Sequence, residues 1–163
     1  MARRGGRGER APGGDPRGRR SAIREHVTRS EPETVALAAA LGEGFRGGEV
    51  VLLSGELGTG KTAFVRGLAR GLGIDPEEVT SPTFVLLTSH PGRLVLHHAD
   101  LYRLRGDGDD LELGLEELPG PRGVLAVEWA ERLSLVPWPR PVRVSLEHAG
   151  EDARTIRIEG AGP

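Results

Sequence analysis

One octapeptide carries most of the chemistry legible in this chain. Gly55-Glu56-Leu57-Gly58-Thr59-Gly60-Lys61-Thr62 satisfies the spacing G-x-x-x-x-G-K-[ST]. In that pattern glycines let successive backbone N–H groups turn inward on a phosphate, and the helix that follows adds the partial positive charge of its N-terminus. The backbone of Glu56, Leu57, Gly58, Thr59 and Gly60 is the expected cradle. Lys61 is placed to reach the β- and γ-phosphates of a nucleotide, and the Thr62 hydroxyl to hold Mg²⁺. Lys61 is also the only lysine among 22 basic residues, in a chain that otherwise uses arginine. It marks a position where a guanidinium does not serve.

A Mg²⁺-nucleotide site needs a carboxylate at the end of a neighbouring strand. Leu94-Val95-Leu96-His97-His98-Ala99-Asp100 is one apolar run ending in an acid, and Val124-Leu125-Ala126-Val127-Glu128 is a second and cleaner one. Each acid also reads as a surface group at a strand end. His98 and Asp100 share a strand face, which raises a transition-metal pair. The only further ligand nearby is His97 on the opposite face, so His98 reads better as a hydrogen-bonding or core histidine. Trp129 follows Glu128 directly, and both base stacking and packing stay open for it.

The elements that must position these groups follow from local pattern. Residues 22–28 read as a short strand, and Ser30-Glu31-Pro32-Glu33 as a capping box with proline in the first turn. A helix is expected from about Glu31 to Leu41, with Val35, Leu37, Ala38 and Leu41 as its apolar face and Gly42, Gly44 and Gly47 closing it. Residues 49–54 are a nearly continuous apolar run and read as a buried strand leading into the phosphate loop. Residues 61–72 form a second helix, stopped by Gly73 and Asp75-Pro76. Strands are expected at 84–88, 94–98, 124–127, 142–146 and 155–158, with a short acidic helix over 109–118. The last two strands read as an antiparallel hairpin across Ala149-Gly150-Glu151. Alternating strands and helices predict an α/β fold: a three-layer P-loop NTPase domain, its mainly parallel sheet flanked by helices and ending in that hairpin.

Composition narrows the function classes. The chain has 163 residues, room for one core of ordinary size, here assigned to residues 21–163. It has no cysteine, which excludes disulfide scaffolds, thiolate metal sites and cysteine nucleophiles and agrees with a reducing cytoplasm. No apolar run is long enough to span a membrane, and residues 1–20 lack the apolar stretch of a secretory signal. Those twenty residues hold seven arginines against two acids, a formal +5 that leaves −7 on the remainder, and they read as a disordered Arg/Gly-rich tail. The tail offers a nucleic-acid arm, yet it has no aromatic residue to stack on bases. Asparagine and glutamine are absent. A Ras-type N-K-x-D guanine reader is therefore excluded, and so is the glutamine that orients water in Ras and Gα. Intrinsic hydrolysis is expected to be slow unless a partner completes the site.

Taken together, G-E-L-G-T-G-K-T (55–62), T-S-P-T-F (80–84), H-A-D-L-Y-R-L (98–104), G-L-E-E (114–117) and V-E-W-A-E (127–131) resemble the bacterial TsaE (YjeE) family of P-loop ATPases. The resemblance runs in order over about residues 28–147. It implies a small parallel-sheet domain ending in antiparallel strands, with ATP and Mg²⁺ as its cofactors. It also implies a cytoplasmic role in making threonylcarbamoyladenosine at tRNA position 37, supporting the TsaB–TsaD pair that transfers the threonylcarbamoyl group. By the same resemblance Glu128 serves Mg²⁺ and the attacking water, and Asp100 lies near the γ-phosphate. Thr83 occupies a switch-like loop, Trp129 lies close to the nucleotide, and Glu31 to Thr34 approach the adenine, although those residues also explain themselves as a helix cap. Two features depart from the pattern: the basic tail, and Gly106 and Gly108 in a stretch that is usually acidic. Tyr102 and Arg103 lie on that side, where packing and a solvated ion pair are their plainer readings. An independent small-molecule kinase and a nucleotide-dependent scaffold are the competing readings of the same loop.

Overall fold

The structure is a computed structural model that describes residues 22–81 and 85–160. The strands are β1 (Arg24–Thr28), β2 (Val50–Ser54), β3 (Leu87–His90), β4 (Val95–Asp100), β5 (Gly123–Glu128), β6 (Val142–His148) and β7 (Arg154–Glu159). Two helices, α1 (Glu31–Glu43) and α2 (Lys61–Gly71), precede and follow β2. Among the described residues the strands form one sheet in the order β1-β7-β6-β2-β5-β4-β3. Its four central strands, β6, β2, β5 and β4, are parallel, while β3 adds to one edge and β7 then β1 to the other in antiparallel pairing. The expected α/β architecture and closing hairpin are both present. The proposed tail at 1–20 lies outside the described residues.

Both helices lie on one face. Phe64, Val65 and Leu68 of α2 and Ala38 of α1 pack with Val51, Leu53, Leu96, Val124, Ala126, Val144 and Leu146 of the sheet. The other face is covered by turns: Val50, Leu52, Ala99, Leu125 and Val127 meet Leu101 and Leu115, with Trp129, Leu133 and Trp138 packed around them. This second layer contains the expected acidic segment, which is two 3₁₀ turns, Asp109–Leu113 and Leu115–Glu117, rather than one helix. Gly114 between them has φ +67°, which breaks helical continuation.

The cap of α1 forms on Ser30 as its sequence predicts, but the reciprocal bond of the box shifts by one residue, to Arg29. Glu33 N–H donates to Ser30 Oγ at 3.3 Å, and Glu33 Oε2 accepts from Arg29 N–H at 2.6 Å. The buried face of α1 differs from expectation, being Thr34, Ala38, Ala39 and Gly42, with Leu37 and Leu41 only partly buried. The cause is close approach of α2. A Cβ on Gly67 would lie 2.5 Å from Ala38 Cβ, and one on Gly42 would lie 2.9 Å from the Leu68 carbonyl oxygen, so small residues take the contact and longer ones flank it. Strand β3 begins at Leu87, three residues later than the apolar pattern places it.

Candidate active site

Strand β2 delivers the chain to the loop at the edge of the sheet where the four parallel strands end, and α2 begins at its far side. Gly60, the N-cap of α2, has φ +99°, a backbone state that a side chain resists. Gly55 is needed for space, since a Cβ there would lie 2.5 Å from the Leu146 carbonyl oxygen of β6. Within the loop Thr59 is buried and its Oγ1 donates to the Glu56 carbonyl at 2.8 Å, while Leu57 is exposed. Two residues of the β6–β7 hairpin brace the loop from outside. His148 Nε2 donates to the Leu57 carbonyl at 3.4 Å, and Arg154 Nη2 donates to the Gly58 carbonyl at 3.2 Å.

Lys61 is 4% exposed and folded back onto the loop, donating to the carbonyls of Gly55 at 2.6 Å and Glu56 at 2.8 Å. Its Nζ lies 4.1 Å from the centre of the Trp129 ring. Burial pushes the ammonium below its ordinary range, against the pull of Glu128, Glu131 and Asp100. Trp129 itself has φ 58° and ψ 43°. Arg132 lies 5.3 Å from its ring and Tyr102 5.0 Å, so the indole contacts an aromatic–guanidinium pair as well as Lys61.

The two strand-end acids are brought together. Glu128 of β5 stands opposite Asp100 of β4 and Leu53 of β2 in the parallel register. Glu128 is 2% exposed; it accepts from Thr62 Oγ1 at 2.9 and 3.1 Å through its two oxygens, and Oε1 also accepts from His98 Nε2 at 2.8 Å. Asp100 accepts from Tyr102 N–H at 2.9 Å and from Ser81 Oγ at 3.3 Å. Burial holds the Asp100 carboxyl above the usual carboxylate range; the Tyr102 bond opposes this and the Glu128 charge reinforces it.

Among the described residues no three His, Cys, Asp or Glu side chains cluster as a metal cage. Thr62 and Glu128 instead offer hard oxygen donors from two side chains, and Thr62 gives its proton to Glu128 while keeping its lone pairs. That set fits Mg²⁺, which takes one or two protein ligands and fills its shell with water and phosphate oxygens.

A family model described as "Threonylcarbamoyl adenosine biosynthesis protein TsaE" matches residues 28–156. The chain belongs to the TsaE family. It is 42% identical over 132 residues to the tRNA threonylcarbamoyladenosine biosynthesis protein TsaE of Treponema pallidum, covering 81% of this chain and 97% of that one. To the Bacillus subtilis protein of the same name it is 37% identical over 131 residues, covering 80% and 81%. The crystal structure of Bacillus subtilis YdiB superposes with a TM-score of 0.70 at 33% identity, over 87% of this chain and 88% of that one.

Of the residues to which resemblance to the TsaE family draws attention, Lys61, Thr62, Asp100, Glu128 and Trp129 converge on the loop. Thr83 lies outside the described residues. Glu31 is exposed and faces Arg66 at 3.4 Å. Thr34 is 3% exposed with its Oγ1 against Thr28 Oγ1 at 2.8 Å, so it ties α1 to β1 and presents no surface to a base. Sequence reasoning missed Ser81, His148 and Arg154. Ser81 lies inside the T-S-P-T-F segment, and the other two sit at the turn end of a hairpin that the sequence does predict.

Proposed function

We propose that this TsaE-family chain is a Mg²⁺-dependent, partner-stimulated ATPase of the machinery that makes threonylcarbamoyladenosine at tRNA position 37. It acts in the cytoplasm and supports turnover of the TsaB–TsaD threonylcarbamoyl transferase, with tRNA as the substrate of the assembly. The observation that carries the reading is the Thr62–Glu128 pair at the foot of the loop that holds Lys61. The pathway is supported by the names of the relatives. No helix among the described residues is long and apolar enough to cross a membrane.

In this reading residues 21–163 act as one unit that binds nucleotide without the tail. The N–H groups of residues 56–60 and the Lys61 ammonium take the phosphates, and Thr62 and Glu128 hold Mg²⁺. Bound by these two residues, Mg²⁺ would supply electrostatic stabilisation of the phosphoryl charge. Glu128 also orients the attacking water, the task for which the chain has no glutamine, while Asp100 lies on the γ-phosphate side. Water attacks the γ-phosphorus and gives up a proton to the phosphate formed, the bond to the bridging oxygen breaks, and ADP and inorganic phosphate leave. Trp129 flanks the nucleotide, with Glu31 at the adenine end and Thr83 sensing the γ-phosphate; Thr34 acts only by holding α1. Need for a partner is supported by the absence of glutamine from the chain; Lys61 here gives two of its three N–H bonds to loop carbonyls beside Trp129. Phosphates must draw the lysine out of that arrangement.

The test is ATP hydrolysis by the purified chain, alone and with TsaB and TsaD, using Lys61→Ala and Glu128→Ala as controls. Slow turnover that rises with the partners and vanishes in both variants is the expected result. Brisk turnover indifferent to the partners would overturn it and direct the search to a small acceptor substrate.

A further inference from the structure

We propose that His98 is a positioning residue for Glu128, its Nε2–H fixing the carboxylate so that one edge stays directed at Thr62 and the metal site; the proposal rests on the ATPase reading above. Three observations carry it. First, His98 pairs across the sheet with Ala126, two residues before Glu128, which makes it the diagonal neighbour of the acid on the helix-bearing face. Second, the contact is short and sealed: Nε2 lies 2.8 Å from Oε1, with His98 0% and Glu128 2% exposed. Third, Nδ1 of His98 finds no hydrogen-bond partner among the described residues.

The third observation sets the tautomer. A carboxylate only accepts, so the proton must sit on Nε2, and the partnerless Nδ1 is best left as a bare lone pair. A buried histidine kept only for packing would be replaced by an aliphatic residue without leaving a polar atom unpaired. Here the orphaned nitrogen is the consequence of aiming the other one at Glu128. The geometry divides the labour around that acid. Thr62 bridges both oxygens from α2, Asp100 stands directly opposite, and His98 pins Oε1 from the sheet. Without that pin a carboxylate on a two-carbon stem turns to whichever donor or ion is nearest. Loss of such an outer partner costs about 10–100-fold in metal affinity or activity.

Two variants separate the role from packing. His98→Gln keeps a donor near the Nε2 position, and His98→Leu keeps bulk without one. The first measurement is the ratio of ATP affinities with Mg²⁺ and with EDTA, read by calorimetry, and the second is kcat in the presence of TsaB and TsaD. The expected result is an EDTA affinity near wild type in both variants. His98→Leu should show a Mg²⁺-dependent tightening and a kcat reduced by about 10-fold or more, with His98→Gln restoring most of each. Wild-type coupling in His98→Leu would overturn the proposal, as would a His98→Gln protein as impaired as His98→Leu. Should His98→Leu fail to fold, ¹⁵N-histidine NMR of the metal-free wild-type chain decides. The His98 ring is expected as the Nε2–H tautomer, with that proton signal displaced by Glu128→Ala; an Nδ1–H tautomer would sink the idea. A wild-type chain that hydrolyses no ATP with any partner would defeat the ATPase reading, while the Mg²⁺ coupling and the tautomer would still judge His98.

Discussion

The parallel centre of the sheet and its antiparallel wing, made of β1, β7 and the end of β6 that pairs with β7, treat charge in opposite ways. At the C-terminal ends of β2, β4 and β5 the chain buries Lys61, His98, Asp100 and Glu128 to 6% exposure or less. On the wing, Arg157 of β7 pairs with Glu25 of β1 at 2.8 Å and Glu147 of β6 at 3.1 Å, with all three side chains substantially exposed. Topology explains the division. Parallel strands end at the same edge, so the loop after β2, the N-terminus of α2 and the acids closing β4 and β5 converge there. Antiparallel strands end at alternate edges and leave their polar residues spread over a face. Buried charge is unfavourable unless each group is answered by a partner or a ligand, whereas half-exposed ion pairs contribute little either way. The centre is therefore built for a task and the wing for holding the loop, which it does through His148 and Arg154.

The sharpest way to break this contrast is Lys61→Ala. ATP affinity is expected to fall at least about 100-fold, equivalent to about 3 kcal/mol, because the phosphate charge loses its main side-chain counter-ion; an unchanged titration would remove the centre's claim to a nucleotide. Asp100→Asn should act on stability in the absence of metal. Burial raises the Asp100 pKa above its value in the unfolded chain, so the folded state binds more protons in that window and stability falls as pH rises through it. The asparagine variant should melt above wild type at neutral pH, with the gain closing below about pH 4. A gain independent of pH would show that ionisation is not its source. Smallest of all, Glu25→Ala on the wing should change unfolding free energy by less than about 0.5 kcal/mol, with a salt-sensitive difference and no change in ATP affinity. A larger loss would make the wing more than a brace.

Legibility in the sequence tracked how local each signal is. The loop, the cap of α1 and the strand-end positions of Asp100 and Glu128 depend on neighbours within a few residues, and all could be read. The Thr62–Glu128 bond joins residues 66 positions apart and follows only once β2 and β5 are known to pair. His98 read as a hydrogen-bonding or core histidine, and its partner was not legible, because the diagonal contact depends on register. Thr34 was drawn toward the adenine by resemblance, whereas the structure commits its hydroxyl to Thr28. Pattern alone also could not foresee that two helices meeting through Gly67 and Ala38 would push Leu37 and Leu41 to the flank of α1.

The backbone of Trp129 is left-handed although it is not glycine, a state that costs about 1–2 kcal/mol, and its indole lies 4.1 Å from the Lys61 ammonium and 5.3 Å from the Arg132 guanidinium. The contact between Lys61 and the indole is a latch if it must open before phosphates enter, and the site then keeps time. If phosphates enter only after the indole lets go of the lysine, the observed association rate should stop rising with ATP concentration and settle at the latch's own opening rate. Occupancy would then be gated by time as well as by concentration.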